Sequence, residues 1–260
     1  MPEKSFPKDL KNIGSGRYAN PEEIDKALIW AISDLSGSGD NPKSFEMLRE
    51  VLRQHPEVLV SLVTGSVLVA RENLGQEREN DPPSIMLGTI DAAIKVIGHQ
   101  KGLFSGEDAF SPNNWTVETL VHVLSMYGDE LVELAGNNTT SKNIPHRASY
   151  ILWLIDQCQS ISHNSSFAFV ELGASGGLIL DALKKPHQFA SWMKTKGYEA
   201  DFAHKFSPTD LNATIGVDLV IPSTDWLKAL ILTDSDRAEI IEFLNEFERS
   251  MVIKGDATQL

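Results

Sequence analysis

After a polar arm at 1–19, apolar residues recur at every third and fourth position in successive segments between Ile24 and Cys158, the rhythm of helices buried along one face. Asn20-Pro21-Glu22-Glu23 reads as a helix start, with Asn20 as N-cap, Pro21 in the first helical position and acids in the first turn. Ile24, Ala27, Leu28, Ala31 and Ile32 form its stripe, and a Gly/Ser-rich loop at 36–42 ends it. Phe45, Leu48, Val51 and Leu52 mark a second helix. His55-Pro56 interrupts, and 58–70 is apolar enough to be buried. The charged stretch 71–83 predicts an exposed connection, and helical signals return at 84–97. Asn114 is expected to cap a helix carrying Val117, Leu120, Val121 and Leu124, and 129–135 adds another turn or two. Pro145 opens a helix with Ile151, Leu154, Ile155 and Cys158 inward. No strand is predicted before residue 166.

The rhythm then changes. Residues 167–170 are a short apolar run of the kind buried on both faces of a sheet, followed at once by Gly173-Ala-Ser-Gly-Gly177. Leu178, Ile179, Leu180 and Leu183 restart a helical pattern, which Pro186 kinks or ends and Gly197 closes. A weak alternation at 198–206 suits a short strand, and the β-branched stretch 214–221 suits a clearer one. A helical turn is expected at 225–230. A helix at 235–249 carries Ile240, Ile241, Leu244 and Phe247, and a strand enters a turn over 251–257. Strand, helix, strand, helix, strand is half of a doubly wound sheet. The expected class is α/β: a helical N-terminal domain at 1–160, then a Rossmann-like parallel sheet at 161–260.

Charge narrows the partners. With 23 Lys and Arg against 36 Asp and Glu, the formal net charge is −13, which disfavours nucleic acid and anionic membrane surfaces. No signal segment or membrane-length apolar run is present, and Cys158 is the single cysteine, so intrachain disulfides and cysteine-rich zinc sites are excluded. A cytoplasmic protein acting on a small molecule, without a metal, is the expectation.

The strand–turn–helix at 167–178 points backbone N–H groups and a helix N-terminus at one small ligand, and three chemistries use such a turn. A dinucleotide loop would need glycine at 173, 175 and 178, where Ser175 and Leu178 break the pattern. A nucleophile elbow matches Gly173-Ala-Ser175-Gly-Gly177, making a serine hydrolase an alternative. Its triad cannot be completed in the expected order, because no histidine follows Asp218, Asp225 or Asp256. The third is the loop of S-adenosylmethionine-dependent methyltransferases, an acid followed by alternate glycine or small residues. Glu171, Gly173, Ser175 and Gly177 occupy those positions, and Asp218 and Asp256 stand at the ends of two later strands.

On Val170-Glu-Leu-Gly-Ala-Ser-Gly-Gly-Leu178, Ile215-Gly-Val-Asp-Leu219 and Lys254-Gly-Asp-Ala257 the chain resembles the bacterial DUF2332 family, whose C-terminal half looks like a methyltransferase domain. Asp129-Glu-Leu-Val-Glu-Leu, followed by Asn143 and Arg147, adds to the likeness, which spans most of 40–260. The resemblance implies a methyltransferase-type sheet and S-adenosyl-L-methionine as cofactor. Glu171, Gly173, Ala174, Ser175 and Gly177 would lie around its methionine part, Asp218 at the ribose, and Asp256 with Ala257 at the adenine. Asp218 lies 41 residues past Gly177, about twice the usual interval of ~20, which implies an insertion at 198–213. Such sheets continue through a further strand beside the glycine loop. The sequence to Leu260 supplies none, so an incomplete sheet, or a homodimer covering its exposed edge, is expected.

Plainer roles compete at each position. Gly173 and Gly177 serve any tight turn, Ser175 suits a small loop residue or N-cap, and Asp218 suits a loop cap. Asn143 and Arg147 are candidates for a substrate pocket, with a salt bridge as the alternative for Arg147. Trp30, Trp153, Trp192 and Trp226 sit among apolar residues and are expected in the core. A non-catalytic ligand- or partner-binding module on the same fold is the alternative from another class.

Overall fold

The computed structural model describes residues 20–38, 42–74, 83–103, 110–140, 147–162, 167–197, 211–218, 220–230 and 234–255. The chain forms two compact units, 1–140 with 228–234, and 141–227 with 235–260.

The first unit is helical. Its helices are α1 (Pro21–Ser38), α2 (Lys43–Gln54), α3 (Pro56–Leu74), α4 (Pro83–Gln100), α5 (Val117–Met126) and α6 (Gly128–Gly136). The start of α1 follows from its sequence, since the Asn20 carboxamide oxygen accepts the Glu22 N–H at 2.9 Å. Ile24, Leu28, Ala31 and Leu35 are its buried stripe, while Trp30, expected in the core, points outward at 60% exposure. Thr116, not Asn114, caps α5, accepting the Thr119 N–H at 3.2 Å. Asn114 instead ends a 3-10 turn, Pro112–Asn114, which moves the helix start two residues on. α3 and α4 both pack on α6. The approach at Gly136 is close enough that an added Cβ would lie 2.6 Å from Val69 Cβ and 2.8 Å from the Ser66 carbonyl oxygen. Inside α4, Lys95 Nζ meets Asp91 Oδ2 at 2.7 Å, with both side chains buried.

The second unit holds α7 (Ala148–Ser162), β1 (Phe167–Leu172), α8 (Leu178–Lys184), α9 (Pro186–Thr195), β2 (Leu211–Asp218), most of α10 (Thr224–Ala229), α11 (Asp234–Glu246) and β3 (Val252–Lys254). The division falls after residue 140, not 160, because α7 packs on α8 and so goes with the sheet. Its inward face also differs from the expectation: Ala148, Leu152 and Ile155 are buried, whereas Leu154 and Cys158 are exposed. α7 carries apolar residues on both sides, Tyr150, Trp153 and Leu154 facing out, so its spacing fits two faces.

The three strands are parallel in the order β1-β2-β3, an α/β arrangement. Among the described residues each crossover carries two helices, α8 and α9 in the first and α10 and α11 in the second. The long interval between Gly177 and Asp218 therefore includes the ten-residue α9. Most of the expected insertion, and the strand expected at 198–206, lie outside the described residues. β1 runs two residues further than expected, so Glu171 is a strand residue. β2 starts three residues earlier than expected and stops at Asp218. Register sets the faces: Phe169 and Glu171 pair with Thr214 and Gly216, and Gly216 with Val252. On the other face, Val170 and Leu172 pair with Ile215 and Val217, and Val217 with Ile253. α8 covers the Glu171 face, since a Cβ on Gly216 would meet both Ala174 and Leu180 at 2.7 Å. Behind it, Trp192 of α9 packs edge-on to Phe243 of α11 at 5.2 Å, and Phe243 stacks on Phe247 at 4.2 Å. Trp192 and Trp226 are core residues, but Trp153 is half exposed. Among the described residues no helix is long and apolar enough to cross a membrane.

Candidate functional site

The turn between β1 and α8 is held against the end of β2. The Val217 carbonyl accepts the N–H groups of Gly173 at 2.9 Å and Ala174 at 3.3 Å. The Ser175 N–H donates to Asp218 Oδ2 at 2.6 Å, and the Gly177 N–H to the Ala174 carbonyl at 2.8 Å, closing a four-residue turn. Ser175 takes the second position at φ 50°, the only positive φ at a non-glycine among the described residues. Glycine would be at ease there, so serine holds a mildly strained backbone.

The glycines of this turn serve different ends. Gly173 has φ +75° and no atom within 4 Å of where a Cβ would stand, so conformation demands glycine while the space beside it is open. Gly176 is set by packing, because a Cβ would lie 2.5 Å from Leu227 Cδ1. Most of the turn's N–H groups are spent on the protein itself, so this is no cradle for a phosphate. What faces outward is an open Gly173, and beside the turn stand three carboxylates.

Those carboxylates cluster. Glu171 and Asp218 end adjacent parallel strands on one face, and Asp181 lies in the first turn of α8. Burial, then the charges of Asp218 and Asp181, push the Glu171 carboxyl up to about 7. Asp218 clasps the loop, accepting the Val220 N–H on Oδ1 at 3.2 Å as well as Ser175 on Oδ2. An ionised carboxylate offers about four lone-pair sites, so two accepted bonds leave room for a hydroxyl donor. Asp181 has no exposed side-chain surface; it accepts the Ser250 N–H and faces Arg249 Nε at 3.2 Å. Burial raises its carboxyl above the ordinary range, opposed by Arg249 and Ser250. The Arg249 guanidinium also donates through Nη2 to the Gly176 carbonyl.

Glu171, Gly173, Ala174, Ser175, Gly177 and Asp218 are thus brought together around one turn. Asp256, Ala257 and Asn143 lie outside the described residues, and Arg147 stands exposed just before α7. Ser175 is only 3% exposed, which disfavours it as a hydrolase nucleophile. Asp181 and Arg249 were missed. The signal was a lone acid in Leu178-Ile-Leu-Asp-Ala-Leu183, an otherwise apolar helix, where a buried carboxylate asks for a cationic partner. Among the described residues no group of three or more His, Cys, Asp or Glu side chains is placed to hold a metal ion. Comparison with known proteins returned no family model, no curated protein and no solved structure that matches the chain.

Proposed function

We propose that the chain binds S-adenosyl-L-methionine at residues 171–177 and 218 and transfers its methyl group to a small molecule, on a Rossmann-like, methyltransferase-type sheet. One observation carries this reading. Glu171 and Asp218 sit at the carboxyl ends of adjacent parallel strands, on either side of a glycine turn with open space at Gly173. In open parallel sheets, ligands bind outside the carboxyl ends of the strands.

The residues suit a cationic ligand. Two strand-end carboxylates, Glu171 and Asp218, beside a turn whose N–H groups are mostly bonded within the protein, disfavour a phosphate and favour a sulfonium and an amino group. The cofactor supplies a methyl group on positively charged sulfur, ready for in-line attack. Asp218 offers its remaining lone pairs to ribose hydroxyls, and Glu171 offers a carboxylate to the cationic end. Such transfer needs no protein nucleophile, because holding the reactants in line supplies most of the acceleration. The net charge of −13 makes a small molecule, not a nucleic acid, the acceptor.

Titration calorimetry tests the proposal. Because Glu171 ionises at about 7, S-adenosylmethionine should bind about tenfold tighter at pH 8 than at pH 6. S-adenosylhomocysteine, lacking the sulfonium charge, should gain less. No heat with either ligand up to about millimolar concentration, the −4 kcal/mol end of the affinity scale, would rule the reading out.

A further inference from the structure

Residues 249–250 precede β3 and belong to no recognisable motif, yet they grip the turn and α8 at once. Arg249 donates through Nη2 to the Gly176 carbonyl and stands with Nε 3.2 Å from Asp181 Oδ2, while the Ser250 N–H donates to Asp181 Oδ1. Asp181 is fully buried in a helix whose other buried members, Leu178, Ile179, Leu180, Ala182 and Leu183, are apolar. Packing alone would be served by an apolar residue at 181, whereas a buried carboxylate there requires a cation, which Arg249 brings from a side chain that is 40% exposed. What an apolar residue could not do is orient a guanidinium. The rigid fork of arginine places two donors at once, one toward Asp181 and one on the turn.

We infer that Asp181 and Arg249 are a positioning pair, in which Asp181 orients Arg249 and Arg249 pins the Gly176 carbonyl, fixing the peptide plane through which the glycine turn enters α8. That plane follows Ser175, whose N–H is held by Asp218, so the pair fixes one side of the turn and Asp218 the other. Its bearing on cofactor affinity rests on the reading above; its hold on the turn does not.

Two variants separate orientation from charge. Arg249→Lys keeps a cation near Asp181 but loses the fork, and Asp181→Asn removes the orienting charge at nearly constant volume. Amide hydrogen exchange at 173–177 is followed alongside S-adenosylhomocysteine titration and thermal unfolding. In both variants the Ser175 and Gly177 amides should exchange about tenfold faster, the scale of one lost charged hydrogen bond. The dissociation constant should rise about tenfold in Arg249→Lys while its unfolding midpoint stays within about 3 °C of wild type. Affinity lost at constant stability is not what a merely structural contact gives. Wild-type exchange rates at 173–177 in Arg249→Lys would overturn the inference, and that variant decides alone if Asp181→Asn does not fold. If the wild-type protein takes up no S-adenosylhomocysteine, the cofactor reading falls, and the exchange rates still decide the role of the pair.

Discussion

The helical unit buries a charged pair and covers nearly all of its apolar side chains, whereas the sheet unit leaves apolar side chains in solvent and gathers its buried charge at one turn. Among the described residues twelve large apolar side chains are exposed. Ile29, Trp30 and Met126 belong to the helical unit; the other nine, Val170, Leu172, Ile215 and Ile253 among them, belong to the sheet unit. These four share one face of the sheet. A strand apolar on both faces is the pattern of parallel sheets covered on both sides, so β1 is suited to more cover than these elements give it. In the helical unit, then, the residues act as packing. In the sheet unit, one apolar face stays in solvent while carboxylates are drawn in around a single turn.

The sharpest test of the first half is the Asp91–Lys95 pair. Both side chains are buried, and Asp91 Oδ1 has no hydrogen-bond partner among the described residues. Lys95→Met should leave an uncompensated buried carboxylate and cost about 3–5 kcal/mol by denaturant unfolding. Replacing both, with Asp91→Leu and Lys95→Met together, should recover most of that loss. If the single variant cost no more than a surface change, the helical unit would be looser than its geometry implies.

Two glycines sharpen the contrast. Gly136→Ala would drive a Cβ against Val69 and the Ser66 carbonyl, an overpacking cost of about 2 kcal/mol. Gly173→Ala meets no atom but must hold φ +75°, a conformational cost of about 1 kcal/mol. The larger loss should come from the glycine far from the turn, and equal losses would mean that the space at Gly173 is not open.

Glu171 comes next. Its carboxyl ordinarily ionises near 4.5 and in the folded protein at about 7, so the folded state holds the proton more tightly. That contribution is fully present below pH 4.5 and is lost as pH rises through about 7. Glu171→Gln cannot ionise and should stabilise the protein relative to wild type at pH 8, by about 1 kcal/mol for a carboxyl that keeps some contact with water. Measured across pH 4 to 9, the difference should grow between about 4.5 and 7 and be flat outside that window. A difference independent of pH would remove Glu171 from the buried cluster.

Much of this was legible in the sequence where local chemistry decides. Asn20 and Pro21 start α1, His55-Pro56 separates α2 from α3, and the apolar run at 167 becomes β1. What the sequence could not decide was set by tertiary contact. Two cap-type residues, Asn114 and Thr116, compete for α5, and the 3-10 turn opened by Pro112 hands the role to Thr116. α7 fits two inward faces, and its packing on α8 chooses the one with Leu152 and Ile155. Trp30 and Trp153 share their surroundings with core residues in sequence but not in space. Glu171 was read as ending β1, yet a strand accepts a carboxyl whose neighbour across the ladder is Gly216. Arg249 lay 73 residues from the Gly176 carbonyl it holds, a pairing no local pattern reveals.

The smallest effect is expected at Leu172, and it tests the comparison most directly. The side chain is 59% exposed on the face it shares with Val217, which is only 4% exposed. If that face is open, Leu172→Lys exchanges one solvated side chain for another and should change stability by less than about 0.5 kcal/mol. Lysine is also what natural edge strands carry to discourage pairing. Val217→Lys, on the same face of the central strand, should be severe, because it buries a charge without a partner. A large loss for Leu172→Lys that appears only at high protein concentration would reverse the conclusion, since only association makes stability depend on concentration. The apolar face would then be the seat of a second copy, and the sheet unit would be as fully packed as the helical one.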